Sequence, residues 1–297
     1  MNDDTRIKNV LIAGAGSIGI GVARSFAKSG FTVKVLSRNP GRLREVLGGV
    51  DIVEKLPPAP PDLIVESIPE LADLKLRLYC DVEDAYGGAP ILTTNTSGLP
   101  LQDLMQGLRY PQQFLGTHYL YPADASEFVE VVRTEKTANT AVERVVSALR
   151  QCEKTPVILN RPVIGALINR LQHALLHEAY YLIDEGIVSG EQVDDIARRL
   201  LAPRMCITGL LLQKDISGLD THALAQRTIV PHLCHDKTPS KSLQALYENG
   251  HLGLKTGKGF YDWSKSDAAR IRATATENVA KIIALMKQLE VIPYGSH

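Results

Sequence analysis

The chain has 297 residues, 44% of them hydrophobic, with 33 basic and 33 acidic side chains and no formal net charge at neutral pH. That length and apolar content support a sizeable core divided between two domains, and balanced charge gives no electrostatic case for nucleic acid or an acidic membrane surface. Cys80, Cys152, Cys206 and Cys234 are scattered without a C-x-x-C pair, which indicates neither a disulfide framework nor a cysteine-based zinc site.

In chain order, the opening Met1-Asn2-Asp3-Asp4 lacks the basic and apolar segments of a signal peptide, and no later apolar run is long enough to span a bilayer. The expectation is a soluble, cytoplasmic protein without a membrane partner. Asn9-Val10-Leu11-Ile12-Ala13 reads as a buried strand that runs directly into Gly14-Ala15-Gly16-Ser17-Ile18-Gly19 and a helical pattern over 20–28. This is G-x-G-x-x-G between strand and helix. The first glycine permits the tight turn, the second lets the backbone approach a pyrophosphate, and the third lets helix and strand pack closely. Free N–H groups and the positive dipole end of the helix hold the phosphates, so Gly14, Gly16, Ser17, Ile18 and Gly19 are candidate dinucleotide contacts.

The second strand, Thr32-Val33-Lys34-Val35-Leu36, ends in Ser37-Arg38-Asn39, where an NAD enzyme usually places Asp or Glu to accept from the adenine ribose hydroxyls. With Ser37 and Arg38 there, the sequence leans toward the 2′-phosphate of NADP(H). NAD(H) also fits, with Arg38 stacked on adenine or solvated. A short helical piece, a strand at Asp51-Ile52-Val53 and the extended crossing Leu56-Pro57-Pro58-Ala59-Pro60-Pro61 lead to the strand Leu63-Ile64-Val65-Glu66-Ser67-Ile68. After Pro69-Glu70 a helix has apolar positions at Leu71, Leu74, Leu78 and Val82.

Three polar groups then fall within forty residues. Thr94-Asn95-Thr96-Ser97 follows the run Pro90-Ile91-Leu92, Gly116-Thr117-His118 ends a run from Phe114, and Glu130 lies inside Phe128-Val129-Glu130-Val131-Val132. A carboxylate within an apolar strand is costly unless paired, and a histidine ending a neighbouring strand is a natural partner. With one imidazole nitrogen held by Glu130, the other is free to exchange a proton with a substrate oxygen that Ser97 can also bond. On the local pattern alone, a satisfied core histidine beside a solvent-facing Glu130 stands on equal terms.

An amphipathic helix over 138–151 and a last strand, Thr155-Pro156-Val157-Ile158-Leu159, place the boundary near Asn160-Arg161-Pro162, giving domains 1–160 and 161–297. Beyond it the pattern is helical. Ile164, Leu167, Ile168, Leu171, Leu175, Leu182 and Ile183 recur at helical spacing, apolar enough for a central buried helix. Asn169 interrupts its first turns; a buried asparagine needs partners, and a substrate oxygen and His118 are candidates. His173 and His177 lie four apart, but without H-E-x-x-H or a third ligand no metal site is expected. Ser189 is a good N-cap for a helix through Leu200. Further helices are predicted over 219–233, 240–249 and 266–289, and the apolar segments 209–212 and 219–233 point to a homodimer through the helical domain. Lys255-Thr256-Gly257-Lys258-Gly259 lacks the strand and spacing of a phosphate loop.

Taken in order, the Gly14 to Gly19 turn, Val65-Glu66-Ser67-Ile68-Pro69-Glu70, Asn95-Thr96-Ser97, Gly116-Thr117-His118-Tyr119, Val129-Glu130-Val131, Ile168-Asn169-Arg170, Gly218-Leu219-Asp220 and Gly253-Leu254-Lys255-Thr256-Gly257-Lys258-Gly259-Phe260-Tyr261 resemble the 3-hydroxyacyl-CoA dehydrogenase family over nearly the whole chain. The resemblance implies an α/β, Rossmann-type dinucleotide-binding domain followed by an all-helical domain. It implies His118 as acid/base, Glu130 as its orienting carboxylate, and Ser97 with Asn169 on the reacting oxygen. Ile68, Pro69, Glu70, Lys75 and Asn95 become cofactor candidates, and Lys258 a candidate for a nicotinamide or phosphate contact.

Three departures modify that picture. The stretch 41–49 has no room for the long helical hairpin that helps acyl-CoA enzymes hold CoA. Tyr121-Pro122 replaces Asn-Pro after the histidine. Arg204-Met205-Cys206-Ile207-Thr208-Gly209-Leu210 replaces the usual Gly-Pro-Phe segment, and an arginine there resembles relatives that act on free 3-hydroxy acids, such as L-gulonate and carnitine dehydrogenases. Arg204 can grip a carboxylate or phosphonate bidentately, so the expected substrate is a small anionic 3-hydroxy or 3-oxo acid. The alternatives are a true 3-hydroxyacyl-CoA dehydrogenase and a non-catalytic NADP-binding sensor or structural protein.

Overall fold

In the computed structural model, residues 6–290 and 292 are described; the opening Met1-Asn2-Asp3-Asp4 lies outside them. Contacts divide the chain into two compact units, residues 1–171 and 172–297.

The first unit is built on one sheet of eight strands: β1 (Asn9–Ala13), β2 (Thr32–Leu36), β3 (Asp51–Val53), β4 (Leu63–Glu66), β5 (Ile91–Thr94), β6 (Phe114–Tyr119), β7 (Phe128–Val132) and β8 (Thr155–Leu159). Their spatial order is β3-β2-β1-β4-β5-β6-β7-β8. All neighbours pair in parallel except β6 and β7, which are antiparallel. The chain winds outward from β1 in one direction and then from β4 in the other, so the β1/β4 junction is the switch point of a doubly wound sheet. In such sheets ligands bind beyond the carboxyl ends of the strands.

Apolar runs explain the layering. β4, β5 and β6 are buried along their whole length, as strands covered on both faces must be. On one face, α1 (Ser17–Lys28) contributes Val22 and Phe26, and α5 (Asn139–Gln151) contributes Val145 and Leu149, to a core with Val10, Ile12 and Val33. On the other, α3 (Ala72–Tyr86) and α4 (Leu101–Gln106) bring Tyr79, Val82 and Leu104 against Leu11, Ile64 and Phe114. Only α2 (Pro40–Val46) lies between β2 and β3, so the long hairpin is absent from the fold as from the sequence.

Five strands coincide with the sequence expectation. The one expected over 63–68 stops at Glu66, because the Ile68 amide turns back to donate to the Glu66 carboxylate at 2.9 Å. The helix expected from Ile164 begins as α6 (Ile168–Asp184), since Gly165 and Ala166 adopt left-handed φ values of 82° and 46° that interrupt helical winding.

After α6 follow α7 (Gly190–Ile196), α8 (Ala202–Thr208), α9 (Leu212–Ser217), α10 (Leu219–Ile229), α11 (Lys241–Glu248) and α12 (Ala268–Met286). Ser189 caps α7 as expected, in a reciprocal capping box with Gln192. The single helix expected through Leu200 instead passes through a π-helical turn, Ala197–Leu201, into α8. α6 is also not the buried central helix that its apolar pattern predicts: none of its residues is buried in the single chain. Among the described residues no helix is long and apolar enough to cross a membrane.

Candidate active site

The antiparallel pairing of β6 with β7 sets His118 directly opposite Glu130. Facing residues on one side of such a pair are close enough to touch, and His118 Nδ1 lies 2.6 Å from Glu130 Oε2 with both side chains buried. With Glu130 ionised, Nδ1 carries the proton and Nε2 is left for chemistry. The carboxylate's other oxygen, Oε1, accepts from the backbone N–H groups of Leu167 and Ile168 at 2.7 and 2.9 Å. Glu130 therefore ties the imidazole to Leu167 and Ile168 at the start of α6, next to Asn169. Asn169 is half-buried and has no side-chain hydrogen bond among the described residues.

A cavity of about 230 Å³ opens beside this pair. His118, Thr96, Ser97 and Gln102 are its polar lining, while Val132 and the segment 162–166 form apolar wall. Ser97 is exposed, and its hydroxyl has no partner among the described residues. The turn that carries it is anchored: Glu70 Oε1 accepts from the Thr96 hydroxyl at 2.5 Å and from the Ser97 and Gly98 amides, each at 3.0 Å. Burial alone would raise the Glu70 pKa, but those hydrogen bonds and the Lys75 ammonium outweigh it and hold the carboxyl below its ordinary value. Asn95 also braces the site, its Oδ1 accepting from the Tyr119 amide at 2.8 Å and its Nδ2 reaching Ser67 at 3.4 Å.

At the carboxyl end of β1, a Cβ on Gly19 would lie 2.1 Å from the Gly14 carbonyl oxygen, whereas one on Gly16 would meet nothing within 4 Å. Gly19 serves the packing of turn and helix; the clear approach over Gly16 faces the start of α1, which has no side-chain cap. Open backbone before free helix N–H groups fits a dinucleotide pyrophosphate. β2 ends without a carboxylate, with Ser37 half-buried and Arg38 exposed.

In the second unit Arg204 is exposed on α8, and Lys258 is exposed in a tight turn where it pairs with Gly253 and Asp262. His177 Nε2 lies 3.3 Å from Cys234 Sγ; no group of three His, Cys, Asp or Glu suited to a metal occurs among the described residues. Several features escape the sequence reading: the 162–166 wall, the α6 backbone donors, and Lys154, whose ammonium binds the Ala123, Asp124 and Ser126 carbonyls and fixes the loop after β6. Gly165, a residue type that favours the left-handed φ found there, is a sequence signal for the turn that carries the first two.

Comparison with known proteins decides the family. The model for the NAD binding domain of 3-hydroxyacyl-CoA dehydrogenase matches residues 46–162, and that for its C-terminal domain matches 165–263. The chain belongs to the 3-hydroxyacyl-CoA dehydrogenase family. A probable 3-hydroxybutyryl-CoA dehydrogenase of Deinococcus radiodurans is 31% identical over 85% of this chain and 99% of its own. The 5-formyl-3-hydroxy-2-methylpyridine 4-carboxylate 5-dehydrogenase of Mesorhizobium japonicum is 24% identical over 96% of this chain and 99% of its own. A crystal structure of an enzyme of that activity, described as an NAD+-dependent dismutase, shares the fold with a TM-score of 0.89, at 23% identity, covering 96% of this chain and all of that one. As a member of the 3-hydroxyacyl-CoA dehydrogenase family, the chain is an NAD-dependent oxidoreductase acting on a CH–OH group.

Proposed function

We propose that this dehydrogenase interconverts a small anionic 3-hydroxy acid and its 3-oxo form, with His118 as acid/base. The observation that carries the chemistry is the 2.6 Å contact of His118 with Glu130 beside the cavity. A nicotinamide dinucleotide held at the turn over 14–19 and the start of α1 would supply the hydride to the carbonyl carbon, or accept it from the carbinol carbon. In reduction, Ser97 and Asn169 donate to the oxygen as negative charge grows on it, and His118 Nε2 delivers the proton; in oxidation the same nitrogen accepts it. Glu130 keeps the imidazole oriented.

For the substrate, the short α2 connection and a cavity of about 230 Å³ favour a small molecule over a thioester of CoA. The Mesorhizobium relative, named for a small pyridine carboxylate, supports the same class. Arg204 is the residue proposed to hold the acid group. Ile68, Pro69, Asn95 and Lys258 remain cofactor-side candidates; the Lys75 ammonium is fully buried against Glu66 and Glu70, and the Glu70 carboxylate is engaged by Lys75 and the 96–98 turn. A finer reading, NADP(H) over NAD(H), rests on Arg38 and the missing carboxylate after β2. The helical unit is proposed to form a homodimer.

Absorbance at the reduced nicotinamide band tests these points together. NADH and NADPH are supplied in turn with acetoacetyl-CoA, small β-keto acids, formyl pyridine carboxylates and β-ketophosphonates. Turnover of the acids without the thioester is expected; consumption with the thioester alone ends the substrate proposal, and faster turnover with NADH ends the NADP(H) preference. His118→Ala should lose at least 100-fold in kcat while still binding reduced cofactor, and near-wild-type turnover removes the mechanism.

A further inference from the structure

Glu66, at the end of β4, is fully buried and accepts from the Lys75 ammonium at 2.6 Å, the Tyr79 and Thr94 hydroxyls at 2.7 Å each, and the Ile68 amide at 2.9 Å. Lys75 is fully buried too, and its ammonium also reaches Glu70 Oε2 at 3.3 Å. Glu70 Oε1 takes the donors of the 96–98 turn described above, and the Thr96 hydroxyl in turn accepts from the Leu99 amide at 3.0 Å. Hydrogen bonds to Glu66 and Glu70, joined by the Lys75–Glu70 ion pair, thus run from the sheet interior to the backbone of Ser97.

Burying an ammonium and a carboxylate costs desolvation that their attraction only just offsets, so such a pair is a weak device for stability. Satisfied on every side, however, it fixes geometry. Lys75 bridges the two carboxylates, and by taking Oε2 of Glu70 it leaves Oε1 to the donors of the turn.

We propose that Glu70, locked by Lys75 and Glu66, is a positioning residue that holds the Ser97 hydroxyl in reach of the reacting oxygen. This rests on the role proposed for Ser97, and it gives Glu70 a task apart from any cofactor contact. A group misplaced by about 1 Å can cost about 100-fold in rate, so removing the Glu70 charge acts on kcat.

The test compares Glu70→Gln, Ser97→Ala and the double variant, using NADH and the β-keto acid turned over fastest, with NADH affinity measured separately by fluorescence. Glu70→Gln should lower kcat by about 10- to 100-fold with the NADH Kd within about twofold of wild type, and the double variant should be no slower than Ser97→Ala alone. Faster amide exchange over 96–99 in Glu70→Gln is expected as well, and unchanged exchange overturns the proposal without reference to turnover. A tenfold weaker NADH Kd makes Glu70 a cofactor ligand instead, and additive losses deny its action through Ser97; either overturns the proposal. A fast Glu70→Gln beside a slow Ser97→Ala sinks this inference alone, whereas a fast Ser97→Ala sinks the Ser97 reading beneath it. Should Glu70→Gln not fold, Glu70→Asp keeps the charge toward Lys75 but withdraws from the turn, and the same kcat loss and amide exchange decide.

Discussion

Glu130 accepts at both ends of its carboxylate, from His118 on one oxygen and from the first amides of α6 on the other. Removing it leaves a buried imidazole and two N–H groups without an acceptor, and each buried donor left unsatisfied costs about 1–3 kcal/mol. Glu130→Ala should therefore lower the urea midpoint by a corresponding amount and nearly abolish turnover. Glu130→Gln keeps an oxygen for one set of donors, so it should recover most of the stability but little of the rate; equal losses of both in the two variants would remove the orienting role. The pairing itself was legible, because an acid inside an apolar strand and a histidine ending its neighbour are both visible along the chain. The α6 amides were not, since backbone donors look alike at every position until the fold brings one to a carboxylate.

Glu70 also carries a pH signature. Its folded pKa is lowered by the turn's hydrogen bonds and by Lys75, against the opposing effect of burial. A carboxyl with a lowered folded pKa contributes stability above its unfolded value, about 4.3 for Glu, and that contribution disappears as pH falls through the folded value. Wild type should melt above Glu70→Gln at pH 7, with the gap closing below about pH 4. A gap that stays constant through thermal melts from pH 7 to pH 3 would contradict the anchored turn.

At the scale of elements, the β1–turn–α1 unit separates two uses of glycine. A side chain on Gly19 would collide with the Gly14 carbonyl, so Gly19→Ala should disrupt the turn and lower the melting temperature. Gly16, with φ −73° and open space around it, tolerates alanine in the protein itself. Gly16→Ala should melt within a few degrees of wild type yet bind NADH at least tenfold more weakly, because a methyl group occupies the path of the pyrophosphate. Equal NADH affinity in a fluorescence titration would move the phosphate site elsewhere. Strand positions were legible where apolar runs end at a polar residue or glycine, as at Gly14, Ser37, Glu54, Arg133 and Asn160. Helix starts were less so: α6 is delayed to Ile168 by the backbone of Gly165 and Ala166, and an alanine gives no notice of a left-handed φ.

On the scale of the whole molecule, the two units differ in how their apolar residues are spent. The first buries a core on both faces of its sheet, whereas no described residue after Ala166 is buried. Leu211, Ile187, Leu224 and Tyr247 expose 83%, 62%, 63% and 68% of their surface, apolar area that a covering partner would take out of water. Periodicity along α6 predicts burial, and a sequence pattern records which face is apolar but not whose atoms cover it. The homodimer proposed here supplies that cover. Its folded units should then be linked to association, so the melting temperature rises with protein concentration and light scattering at micromolar concentration gives twice the chain mass. Leu224→Glu places a charge on the exposed apolar side of α10 and should shift the protein toward monomer with a lower melting temperature. A wild-type chain that scatters as a monomer, with a melting temperature independent of concentration, would rule out the dimer and leave these side chains without a covering partner.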